Sequence, residues 1–154
     1  MVKVEIREAT DGDLPAILSL YAQPDVDNGK VLSIEQAQKI FARIRSYPEY
    51  RIYIAKTEDK IIGTFALLIM DNLAHMGAPS GIVEDMVVDP SWQGKGIGKQ
   101  MMEFARECCR ERGCYKLALS SNLKREIAHR FYESLGFQRH GYSFIVEPTG
   151  GKKE

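Results

Sequence analysis

The stretch "VVDPSWQGKGIGKQMMEFA", residues 87 to 105, decides how this chain is read. It opens as an apolar strand, breaks at Asp89-Pro90, and places Gly94, Gly96 and Gly98 on alternate positions. It then runs into an amphipathic helix with Ile97, Met101, Phe104, Ala105 and Cys108 at three- and four-residue spacing. Glycines so arranged leave the backbone N–H groups of residues 94–99 unshielded at a helix start, where the first N–H groups lack partners within the helix. The helix dipole and the flanking Lys95 and Lys99 favour an anion there, phosphate or pyrophosphate above all. Neither familiar phosphate motif fits the spacing. The dinucleotide fingerprint needs glycine where Lys99 stands, and the P-loop needs one where Gln93 stands.

Outward from this segment, strands and helices alternate. "VKVEIRE" has the period of a half-buried strand, and "ATDGDLPAILSLYAQ" follows with Thr10 or Asp11 as cap and Leu14, Ile17, Leu18 and Tyr21 on one helical face. Ser33 with Gln36 forms a capping box for a second helix, to about Ser46. "YRIYIAKTEDKIIGTFALLIM" reads as a hairpin turning at Glu58-Asp59-Lys60, and "GIVEDMVVD" as the next strand. The glycine-loop helix stops at Gly113. "YKLALS" then predicts a strand, "KREIAHRFYESLG" a helix closed by Gly136, and "FQRHGYSFIVEP" a last strand. The order β-α-α-β-β-β-α-β-α-β implies an α/β fold on a mixed sheet, with hairpin-linked antiparallel strands and one helical crossover from the fourth strand to the fifth. Residues 1–149 are expected to form a single domain, and residues 150–154 a mobile tail.

Composition narrows the function. At 154 residues, 44% hydrophobic, the chain is long enough to bury a real core. Its 21 basic and 21 acidic residues cancel, so no overall field draws it to nucleic acid or an anionic membrane. No apolar run has membrane-spanning length and the N-terminus lacks signal-peptide features, so a cytoplasmic location is expected. Cys108, Cys109 and Cys114 lack zinc-ligand spacing and read as reduced thiols, with Cys108 a small apolar core residue.

Gln93-Gly94-Lys95-Gly96-Ile97-Gly98 resembles the Q/R-x-x-G-x-G/A pyrophosphate loop of the GNAT superfamily of acyl-CoA-dependent N-acetyltransferases. The likeness extends from "IREATDGDLPAI" through "EDMVVDPSWQGKGIGKQMM" to "NLKREIAHRFYESLGF", most of the chain. It implies a GNAT-like, mostly antiparallel central sheet splayed between its fourth and fifth strands and flanked by about four helices. It also implies acetyl-CoA as cofactor, with pantetheine against the backbone of Met86, Val87 and Val88. The pyrophosphate would lie on Gln93, Gly94, Lys95, Gly96, Ile97, Gly98 and Lys99, and Asn122 matches a polar residue that touches the cofactor. Tyr132 stands where the family's tyrosine lies near the cofactor sulfur, though Phe131, Leu135 and Phe137 around it are equally the company of a core aromatic.

Acetyl transfer needs a neutral amine, and an alkylammonium with a pKa near 10.4 is protonated at neutral pH, so a base is required. Glu84 and Asp85 are the candidates on the fourth strand, and strict alternation puts them on opposite sheet faces. The resemblance implies an acid on this strand, acting directly or through water at a position that varies in the family; Glu84 is the expected base, with Asp85 or a water chain as the alternatives. His129, three residues before Tyr132, admits a proton relay or an exposed place at the cofactor's edge. The last segment looks most like small-amine acetyltransferases of the aminoalkylphosphonate and aminoglycoside kind, so a small-molecule amine is the expected partner. Peptide or protein amines, or a non-catalytic acyl-CoA sensor, are the alternatives. Residues 21–50 and 71–80 should build the acceptor pocket, with Asp25, Asp27, Glu35, Glu49 and Asp71 as carboxylates for a cationic amine. A homodimer is compatible with this reading.

Overall fold

A computed structural model describes residues 2–149; the expected tail, residues 150–154, lies outside the described residues. Two compact units divide the chain, one ending at Leu119 and one beginning at Ser120. The first holds a five-stranded sheet in sequential order. Its strands are β1 (Glu5–Glu8), β2 (Tyr50–Lys56), β3 (Ile61–Met70), β4 (Ser80–Val88) and β5 (Lys116–Ala118). β1 to β4 pair antiparallel and β5 runs parallel to β4. Among the described residues no helix is long and apolar enough to cross a membrane.

Helices α1 (Leu14–Tyr21) and α2 (Ile34–Ser46) pack on one face of the sheet. A short 3-10 turn, Asp11–Asp13, leads into α1, and Asp13 accepts from the N–H and hydroxyl of Thr10 while its carboxylate takes two bonds from Arg7 at 2.7 and 3.0 Å. That guanidinium holds the Asp13 carboxyl down to about 2. Ser33 and Gln36 cap α2 reciprocally, as their spacing predicts. Ala9, Leu14, Ile17, Ala37, Phe41 and Ile54 form the core beneath.

The other face carries α3 (Ile97–Glu111). Tyr53 stacks on Phe65 at 5.2 Å and meets the edge of Phe104 at 5.0 Å, which ties the hairpin to the helix. The buried stripe of α3 is Ile97, Met101, Met102, Ala105 and Cys109. Cys108, the expected core thiol, lies at the border and faces the Tyr53 hydroxyl instead. Two strand glycines explain this rotation. A methyl at Gly63 would stand 3.0 Å from the sulfur of Met101, and one at Gly81 would overlap the sulfur of Cys109. Sulfur thus fills the seats that missing side chains leave. Gly81→Ala is therefore expected to cost about 1–3 kcal/mol by overpacking, more than Gly63→Ala, whose neighbour is the flexible end of a methionine; urea denaturation of both variants checks the order.

The second unit contains α4 (Glu126–Ser134), closed by Gly136 at φ 94°. The expected last strand, residues 137–148, is not formed. A strand needs a backbone ladder as well as a suitable composition, and no ladder reaches these residues. Tyr142, Phe144, Ile145 and Val146 are all exposed, so neither set of alternate side chains is buried.

Candidate active site

Strand β4 is irregular in its middle. Ala66 pairs with Glu84 and Thr64 with Val87, so Phe65 alone opposes Asp85 and Met86. This is a β-bulge. Asp85 takes φ 54°, a left-handed conformation that costs a non-glycine residue about 1–2 kcal/mol. β5 pairs only with residues 80–82, so β4 continues to Val88 with its β5-side edge unpaired. The sheet parts between its fourth and fifth strands, as expected.

At the end of that open edge the chain turns. The Val88 carbonyl accepts from the side-chain amides of Gln23 at 3.1 Å and Gln93 at 3.3 Å. Asp89 accepts from the N–H and hydroxyl of Ser91 and pairs with Lys60 at 3.0 Å, and these partners lower its carboxyl pKa, Ser91 foremost. A 3-10 turn, Pro90–Trp92, leads into the glycine loop. Gly94 and Gly96 take φ 76° and 84°, values at which a side chain would be strained. The N–H groups of residues 94–99 have no acceptor among the described residues, and nothing lies within 4 Å of a methyl built on Gly94. Lys95 rests over the ring of Trp92 at 5.0 Å. Unpaired N–H donors, open space beside Gly94 and the dipole of a fifteen-residue helix together suit a pyrophosphate.

The bulge breaks the alternation expected of Glu84 and Asp85. Burial, and then the charge of Asp85, raises the Glu84 carboxyl. Burial, and then the charge of Asp27, raises Asp85. Both carboxylates act on one phenol, Tyr50, raised by burial first. Tyr21 is raised by burial and Asp85, with Thr64 in hydrogen-bond reach of its hydroxyl. The structure thus gathers Asp27, Glu84, Asp85, Tyr21 and Tyr50. Of the other acceptor carboxylates proposed from sequence, Glu49 is paired with Arg112 beside α3, while Asp25, Glu35 and Asp71 are exposed. The loop of residues 71–80 is pinned by Asn72 to the Ala78 carbonyl at 2.7 Å and by His75 stacked on Tyr115 at 4.1 Å. Sequence reasoning missed Gln23 and both tyrosines. Their one signal was membership of the stretch it marked as acceptor-binding.

In the second unit, the Oδ1 of Asn122 accepts from the Lys124 N–H at 2.9 Å, which leaves its amide nitrogen as the free donor. His129 Nε2 lies 2.8 Å from the Asn122 carbonyl, so this ring ties α4 to its lead-in. Tyr132 packs against Phe131 and Phe137, with centroids at 5.5 and 6.1 Å. Burial raises its phenol, and its hydroxyl has no hydrogen-bond partner among the described residues. It stays a protonated donor.

Residues 48–139 match the profile of the family described as "Acetyltransferase (GNAT) domain". Glucosamine 6-phosphate N-acetyltransferase of Trypanosoma brucei brucei is 31% identical, over 91% of this chain and 92% of that protein. Aminoalkylphosphonate N-acetyltransferase of Salmonella typhimurium is 28% identical, over 91% of this chain and 88% of that one. The solved structure of a putative acetyltransferase from Agrobacterium tumefaciens superposes with a TM-score of 0.87 at 30% identity, covering 93% of this chain and 99% of its own. The bulged, half-open fourth strand that ends in unpaired N–H groups is thus met by sequence likeness over nearly the whole chain, and the protein belongs to the GNAT family of N-acetyltransferases.

Proposed function

We propose that this chain moves the acetyl group of acetyl-CoA to the primary amine of a small molecule by direct attack in a ternary complex. One observation carries the reading: the open edge of β4 is followed, after a single 3-10 turn, by the unpaired N–H groups of residues 94–99. The backbone of Met86, Val87 and Val88 takes the pantetheine arm. Gln93, Gly94, Lys95, Gly96, Ile97, Gly98 and Lys99 take the pyrophosphate, and Asn122 offers its free amide nitrogen. Glu84 removes the amine proton, directly or through water; its raised pKa makes it a stronger base than an ordinary glutamate. Tyr132 donates a hydrogen bond to the departing sulfur. A small amine as acceptor is supported by the substrates for which the two relatives are named, a sugar amine and an aminoalkylphosphonate, and by the carboxylates around Tyr21 and Tyr50, which suit a cation.

A panel of amines assayed by release of free thiol tests the activity; acetyl-CoA binding with no thiol release from any amine, peptides included, would make the chain a sensor instead. With an accepted amine at subsaturating concentration, the rate should rise with pH as base and amine lose protons. Glu84→Gln should depress the neutral-pH rate and leave acetyl-CoA affinity nearly unchanged. An unchanged pH profile in the variant would pass the role to Asp85 or to a water chain.

A further inference from the structure

The cysteines at the far end of α3 are not among the residues proposed for acyl transfer. After Arg112 the chain turns at Gly113, φ 72°, and two nested bonds close the helix. The Gly113 N–H donates to the Arg110 carbonyl at 3.1 Å, and the Cys114 N–H to the Cys109 carbonyl at 2.9 Å. This Schellman turn folds the second residue past the cap onto the third before it. Those two residues are Cys109 and Cys114, and their thiols lie within hydrogen-bond reach of each other. Cys109 is 5% exposed with its sulfur seated on Gly81; Cys114 is half-buried.

We propose that Cys109 and Cys114 are a redox-active pair that closes a reversible disulfide by exchange with a small-molecule disulfide. The thiolate of Cys114 attacks one sulfur of the external disulfide, whose S–S bond breaks; the first small thiolate leaves and takes up the proton Cys114 gave. Cys109 then attacks the Cys114 sulfur of the mixed disulfide, and the second small thiol leaves with the Cys109 proton. Two protein thiols are oxidised, one external disulfide is reduced to two thiols, and protons balance.

The order follows from the surroundings. Burial, and then the neighbouring Cys114 thiol, raises the Cys109 thiol, so it is a poor first nucleophile, while the half-buried Cys114 is in part open to solvent. Once Cys114 carries a mixed disulfide, the turn holds the Cys109 sulfur beside it, and proximity replaces thiolate abundance. A disulfide needs facing Cβ atoms about 3.8 Å apart, and the nested turn folds Cys114 back against the last turn of α3, toward Cys109. Cys108 is directed to the Tyr53 hydroxyl and takes no part.

Incubation of the full chain with glutathione disulfide, alkylation of free thiols and tryptic mapping test this. Trypsin cuts at Arg110 and Arg112, between the two cysteines, so a bridge joins peptides that otherwise separate. The expected result is that joined pair, lighter by two hydrogens than its parts and released by reductant, in the wild-type chain and in Cys108→Ser. Cys109→Ser should stop at a stable glutathione adduct on Cys114, and Cys114→Ser should show neither. A persistent adduct on wild-type Cys114, a bridge lost in Cys108→Ser, or three unmodified thiols would overturn the proposal.

Discussion

Gly96→Glu is expected to abolish the thermal stabilisation that acetyl-CoA confers. A ligand present at a hundredfold excess over its Kd, and bound only by the folded chain, adds about 2.7 kcal/mol. For a chain of this size that is a rise of roughly 5–10 °C in melting temperature. The substitution acts against binding in two ways. At φ 84° a side chain strains the backbone that presents the N–H groups, by about 1–2 kcal/mol, and its carboxylate faces the pyrophosphate at a place where the helix dipole favours an anion that belongs to the ligand. Affinity should fall by about a hundredfold or more, since each 1.4 kcal/mol is worth tenfold. Gly96→Ala carries the strain without the charge and should retain part of the shift. Thermal melts with and without acetyl-CoA decide it: wild-type stabilisation in the glutamate variant would remove the pyrophosphate from this loop.

The second large effect is on turnover. A thiol has a pKa near 8.5 and a tyrosine near 10, so full proton transfer from phenol to thiolate is uphill by roughly 2 kcal/mol. Burial raises the phenol of Tyr132 further, which disfavours transfer still more and keeps the hydroxyl a donor. Its contribution is therefore a hydrogen bond to a leaving group that is already fairly good. Assistance of this kind is worth about a hundredfold to ten-thousandfold, and easy thiolate departure argues for the low end. Tyr132→Phe keeps the ring that packs on Phe131 and Phe137. A loss of about tenfold to a few hundredfold in kcat is expected, with acetyl-CoA affinity little changed. Wild-type kcat in the phenylalanine variant, with chemistry shown to limit the rate, would leave Tyr132 a packing residue.

Local signals account for what was legible in the order of residues. The capping box of Ser33 and Gln36, the turn at residues 58–60, the stop at Gly113 and the glycine loop each rest on backbone chemistry within a few residues, and each stands where its residues predict. The loop's N–H groups stay unpaired because the two side chains between Gly94 and Gly98, Lys95 and Ile97, carry no acceptor, which is already implicit in the sequence.

Three features needed the folded chain. The buried stripe of α3 passes through Met102 and Cys109 rather than Cys108, because rotation about the helix axis is set by where Gly63 and Gly81 leave room on the sheet. Periodicity names a face but not its angle. Asp85 and Glu84 depart from alternation because one residue of β3 opposes two of β4, and a bulge is a property of the pair of strands. Residues 137–148 have strand composition and form no strand, since hydrogen bonds that make a strand come from a neighbour and not from its own residues. By itself, then, the sequence determined the helices, the first five strands, their order and the glycine loop, whose boundaries are set by short-range contacts. Only the tertiary structure decided which carboxylates share a neighbourhood and which stripe of α3 is buried, because each depends on the packing of segments distant in the chain.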